Sequence, residues 1–116
     1  MAGLKYDGNK VPLHLLPPDA LWAIAEVLRF GAIKYTTKEG DGAWNWYEGI
    51  KWSRLFGACL RHLWQWWKGE ERDLESELPH LAHAGCCLLF LLQLVLERRS
   101  QFDDRPAWTE STIRTV

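Results

Sequence analysis

The chain has 116 residues, 47% hydrophobic and 25% charged, with a formal net charge of -1. That length fits a single domain, 1–116, with one modest core. The composition excludes a disordered segment, and the near-neutral charge excludes the electrostatic footprint of a duplex-DNA or anionic-membrane binder.

Residues 1–16 carry Gly3, Asp7-Gly8-Asn9 and Pro12 without a sustained period, which predicts an N-terminal arm with a turn at Asp7-Gly8. Pro17-Pro18-Asp19 is a helix-start signal, because proline is tolerated where backbone amides have no partner and an acid suits the positive end of the dipole. Leu21, Ile24, Ala25 and Leu28 follow at helical spacing, predicting a first helix from Asp19 to Tyr35. Gly31 weakens its centre, and its lack of a side chain allows close approach by another helix or by a ligand.

Thr36 to Gly49 reads as a loop in which Trp44, Trp46 and Tyr47 alternate with glycines and Asn45. Aromatic rings beside amide donors suit the face and edge of a purine, and they suit a subunit contact equally. Ser53 is the expected cap of a second helix, Arg54 to Lys68, with Gly69 as terminator. Ser76 is the expected cap of a third, with Pro79 in its first turn and Arg98 near its end. Between Leu81 and Leu96 that helix is apolar on nearly every side but too short to span a membrane, so a helix-mediated oligomer is expected. The tail, 100–116, has no helical period, and Phe102 and Trp108 are expected to tack it onto a neighbour. Cys86 and Cys87 are adjacent in the apolar run and Cys59 is the third thiol, which makes no disulfide framework. With no basic-then-apolar leader visible, a cytoplasmic setting is expected.

The chemistry concentrates in RHLWQWWKGEERDLESELPHLAH, Arg61 to His83, which holds three of the four histidines and five acids. A charge run on its own is ordinarily a solvated face. Here, however, antiparallel packing of the second and third helices would bring His62 toward His80 and His83, with Asp73 and Glu75 hanging between them. Such a pocket can hold a divalent ion, with Arg61 placed for a phosphate oxygen.

KYDGNKVPLHLLPPDALWAIAEVLRFGAIKY, then NW, then WSRLFGACLRHLWQWWKGEERDLESELPHLAHAGCC, resembles the small phage and bacterial dATP/dGTP diphosphohydrolases. These are relatives of the MazG-type nucleoside triphosphate pyrophosphohydrolases and include the MazZ type. The likeness extends from Lys5 to Leu96. It implies an all-α, MazG-like helical bundle, assembled as a homodimer or homotetramer. It also implies that a purine deoxynucleoside triphosphate, dGTP or dATP, is cleaved to monophosphate and pyrophosphate with Mg2+ or Mn2+, in the MazZ case supplying dGMP for 2-aminoadenine synthesis.

Carried onto this sequence, the resemblance makes His62, Glu70, Asp73, Glu75, His80 and His83 metal candidates, with Asp73, Glu75 and His80 also catalytic. Lys34 and Arg61 become phosphate candidates, and Asn45 and Trp46 base-side candidates. One departure is plain. MazG proteins carry Glu-Glu-x-x-Glu and Glu-x-x-Asp, where this chain reads Arg61-His62-x-x-Gln65 and Glu77-x-x-His80. The alternative from another class is a tryptophan-rich helical module that sequesters a nucleotide or a host protein without chemistry, which has no special use for the histidine-acid cluster.

Overall fold

A computed structural model describes residues 2–107. Three helices carry the fold: α1 (Pro18–Lys34), α2 (Trp52–Trp67) and α3 (His80–Leu96), with single 3-10 turns at Leu13–Leu15 and Asn45–Tyr47. Among the described residues there is no strand, only isolated bridges at Thr37–Gly40 and Arg72–Pro79. No helix among them is long and apolar enough to cross a membrane.

α1 begins one residue before its expected start and ends one before its expected end, with Pro18 and Asp19 in its first turn. α2 ends at Trp67, one residue before its expected end. Gly69 sits at φ +106, and the amides of Gly69 and Glu70 close back onto the carbonyls of Trp66 and Gln65, each at 3.0 Å. That pair of bonds satisfies the last carbonyls of the helix and turns the chain sharply. α3 ends in the same way, with Arg98 (φ 56) in the position glycine takes after α2.

Neither α2 nor α3 takes the serine cap expected of it. α2 opens at Trp52, and its first amides are met from outside the helix. Ser53 donates its amide to Asp104 Oδ1 at 2.8 Å and its hydroxyl to Asp104 Oδ2. α3 opens at His80, with Pro79 just outside it, so Ser76 caps no helix and serves the connecting turn instead.

α2 packs along α3 in the larger helix contact, and α1 lies against α3. One core cluster, Val27, Ala82 and Cys86, joins α1 to α3. The other joins Trp52 and Leu55 to Leu94, with Phe102 and the Trp46–Tyr47 turn packed on it. Phe102 therefore docks on its own chain, and its carbonyl accepts the Trp52 amide at 3.0 Å; Trp108 lies outside the described residues. All three cysteines are free thiols. On α3, Leu88, Leu92 and Leu96 remain exposed, the last at 70%.

Candidate active site

The segment between α2 and α3 builds one wall of the site. Its backbone folds back on itself: the Asp73 amide bonds the Leu78 carbonyl at 2.9 Å and the His80 amide the Glu71 carbonyl at 2.9 Å. Asp73 organises the bend between them. Its Oδ2 accepts the Ser76 amide at 2.9 Å and the Ser76 hydroxyl at 3.0 Å. Because that hydroxyl has one proton and spends it on Asp73, its oxygen accepts from the Leu78 amide at 3.2 Å and from His83 Nε2 at 2.7 Å. Sequence reasoning missed this role of Ser76. A serine three residues after an acid, in a turn, is the signal that could have found it.

The second wall is imidazole. His62 on α2 stacks on His83 of α3, with centroids 4.4 Å apart and planes 9° from parallel. Its Nδ1 stands 2.9 Å from Nδ1 of His80. His80, 2% exposed, reaches on its other side to Glu70 Oε1 at 2.7 Å. Donor atoms of His62, Asp73 and His80 all lie within 4.8 Å of one another. The packing of two helices has thus gathered three imidazoles from positions 18 and 21 residues apart.

These surroundings set the charges. Burial, helped by the neighbouring rings of His83 and His80, pushes His62 down to about 4. His83 is also lowered, by burial first, with Asp73 opposing. Burial works against ionisation of Asp73, but the two Ser76 hydrogen bonds outweigh it and hold the carboxyl below its ordinary range. At neutral pH His62 and His83 are therefore neutral beside an ionised Asp73, the states in which both residue types bind metal.

An unfolded imidazole takes up its proton near pH 6.5, whereas His62 in the fold resists until about pH 4. Across that window the unfolded chain binds more protons, so the fold loses stability as pH falls. Thermal midpoints of the metal-free protein are expected to drop from neutral pH to pH 4, and less so for His62→Gln. Equal pH profiles for the two proteins would refute it.

The site opens into a cavity of about 320 Å³ between α1, the aromatic loop and α2–α3. His62, Asp73, Glu75 and His83 line it, as do Asn45, Trp46, Lys34 and Arg61. Trp46 packs on Phe90, seven residues along α3 from the His83 that stacks on His62, which sets the aromatic loop and the histidine cluster toward different ends. His80 and Glu70 stand behind His62, outside the lining. Lys34 is joined to Glu75 at 2.7 Å across an exposed rim, and this hydrogen bond raises its pKa. Trp46 stacks face to face on Phe90, 4.3 Å between centroids, so one of its faces is already taken. Gly31 and Gly42 complete the lining, and a Cβ on Gly31 would meet nothing within 4 Å.

Such a space suits a drug-sized polar ligand. It is apolar and aromatic at one end, with cations along its side and a histidine-carboxylate cluster at the other. In chemical terms the cluster can hold a divalent ion and position water beside a phosphate.

A family model described as "dATP/dGTP diphosphohydrolase, N-terminal" matches residues 1–105. A curated protein of Salmonella phage PMBT28, named dATP/dGTP diphosphohydrolase, is 39% identical over 105 residues, covering 90% of this chain and 33% of that protein. The chain thus spans about one third of the length of the curated relative it matches. No solved structure matches it.

Proposed function

This chain belongs to the dATP/dGTP diphosphohydrolase family, whose N-terminal model it matches almost throughout, and from that premise we propose that it hydrolyses a purine deoxynucleoside triphosphate. The substrate is dGTP or dATP, and the products are the monophosphate and pyrophosphate. The observation that carries this reading is a single cavity with Asn45 and Trp46 at one end and His62, Asp73 and His83 at the other. The spacing suits a nucleotide lying base inward toward the loop with its phosphates toward the imidazoles.

In this reading Asn45 presents an amide to the base edge and the indole of Trp46, on the side away from Phe90, a surface for the ring. Lys34, steadied by Glu75, and Arg61 face the phosphate oxygens as cations. His62, Asp73 and His80 hold a divalent ion, Mg2+ or Mn2+, since their donor atoms are clustered and His62 and Asp73 are in the protonation states that bind metal. When bound, that ion supplies Lewis-acid stabilisation of phosphate charge and a more acidic water. Asp73, fixed by Ser76, and the neutral His83 accept hydrogen bonds or protons from water at this end of the cavity. In a phage, the monophosphate can feed nucleotide-pool remodelling, including dGMP for 2-aminoadenine synthesis.

A MazG-like bundle assembled as a dimer or tetramer belongs to the same proposal. The exposed leucines of α3 support it, because an apolar stripe of that extent is ordinarily covered.

Incubation with each dNTP and Mg2+ or Mn2+, with separation of products, tests the reaction. Monophosphate and pyrophosphate from a purine dNTP are expected. Release of orthophosphate, or no turnover of any purine nucleotide, would end the proposal.

Gly31 offers a second check on the cavity. Gly31→Ala is expected to stabilise α1 by about 1 kcal/mol with nucleotide binding retained. Gly31→Leu, projecting into the open space, is expected to abolish binding in a folded protein. Nucleotide titrations of both variants decide it, and unaltered binding by Gly31→Leu would place the substrate elsewhere.

A further inference from the structure

His62 and His80 belong to different helices, yet their Nδ1 atoms face each other at 2.9 Å. Glu70 determines what His80 can offer there. A carboxylate only accepts, so its 2.7 Å contact with His80 Nε2 puts the ring proton on Nε2 and leaves the Nδ1 lone pair toward His62. Ring nitrogens at this separation match adjacent donors of one ion, since bonds of about 2.1 Å set neighbouring ligands about 3 Å apart. The third donor, from Asp73, lies within 4.8 Å of a ring nitrogen of each histidine. Its Oδ2 is committed to Ser76, which holds the carboxylate still and leaves Oδ1 available.

Oxygen donors are otherwise scarce at this point. Gln65 and Glu77, at the places where carboxylates would complete an all-oxygen set, are both exposed. Glu75 is engaged with Lys34, and Glu70 with His80.

Resting on the metal-dependent reading above, we propose that His62 Nδ1, His80 Nδ1 and Asp73 form a nitrogen-rich ligand set that selects a first-row transition ion over Mg2+. Glu70 is the positioning residue that orients His80. Mg2+ prefers oxygen donors and gives up water reluctantly, whereas imidazole nitrogen favours the transition series. A metal-bound imidazole whose other N–H is held by a carboxylate keeps its tautomer and ring orientation, the part Glu70 plays here.

The test needs no turnover. The purified metal-free protein is titrated with Co2+, followed by its optical bands, and separately loaded with Mn2+ for pulsed EPR. Tight Co2+ binding, imidazole-nitrogen coupling to Mn2+ and persistence of both in a large excess of Mg2+ are expected. Glu70→Gln is expected to weaken Co2+ binding about 10- to 100-fold with the nitrogen coupling retained. His62→Gln should lose part of the coupling, with circular dichroism confirming the helices. Bound Mn2+ without nitrogen coupling, ready displacement by Mg2+, or no ion bound at all would overturn the assignment. Failures separate cleanly from the hydrolysis reading. Purine dNTP turnover driven by Mg2+, without nitrogen coupling, removes only this inference. A nitrogen-coupled ion on a protein that turns over no dNTP removes only the hydrolysis.

Discussion

Asp73→Asn is expected to lower purine dNTP turnover by about 10³-fold or more, equivalent to about 4 kcal/mol of transition-state stabilisation. The substitution preserves volume and keeps one oxygen to accept from Ser76, so the turn should survive. What it removes is the charge of the carboxylate that shares a donor cluster with His62 and His80. Steady-state rates beside circular dichroism check this, and a variant within tenfold of wild type would show that the chemistry lies elsewhere. Ser76→Ala makes a useful companion. It removes the hydroxyl bond to Asp73 and the oxygen that meets the Leu78 amide and His83 Nε2 while the Ser76 amide bond to Asp73 remains, so a smaller loss of rate with the charge intact would separate positioning from charge.

Gly42→Ala is expected to damage both stability and substrate affinity. A Cβ at this position would stand 2.6 Å from the Ala32 carbonyl oxygen and 2.5 Å from the Thr36 amide nitrogen, and would overlap the Tyr35 carbonyl carbon. All three are backbone atoms at the end of α1 and cannot step aside as a flexible side chain can. The contact is also a joint. Thr36 Oγ1 donates to the Ala32 carbonyl at 2.6 Å and accepts the Gly42 amide at 2.9 Å, while the Gly42 carbonyl accepts the Asn45 amide at 3.1 Å. Forcing the loop outward therefore moves Asn45 and Trp46, the proposed base-side wall. Overpacking costs about 1–3 kcal/mol, and KM should rise together with the loss of stability. Denaturant unfolding and kinetics measure the two effects, with Gly40→Ala, which meets nothing within 4 Å, as the control. A Gly42→Ala protein of normal stability and KM would show that the loop does not seat as described.

Helix positions were accessible from sequence because their causes are local. Pro17-Pro18-Asp19 starts α1, Gly69 at φ +106 ends α2, and the apolar run ending at Glu97-Arg98-Arg99 bounds α3 within two residues. Where the cause is distant, local reading failed. Ser53 looked like a cap by type, but its partner Asp104 comes from 51 residues away. Ser76 sits before a helix that begins only at His80, so its hydroxyl is free to bind Asp73 and His83.

The site divides the same way. Residue types and spacing were enough to nominate His62, Asp73, Glu75, His80, His83 and Arg61 and to offer the loop of Asn45 and Trp46 to a purine, and the resemblance to the family added Lys34. All of these except His80 line the one cavity. No spacing rule distinguishes a lining residue from one behind it. Only the packing of α2 on α3 puts His62 at the surface of the cavity and buries His80 between it and Glu70. The sequence by itself determined the helices and the stock of imidazoles and acids, because periodicity, caps and composition act over a few residues. The tertiary structure alone decided which nitrogen meets which oxygen, because those distances depend on where two helices and a folded-back turn come to rest in three dimensions.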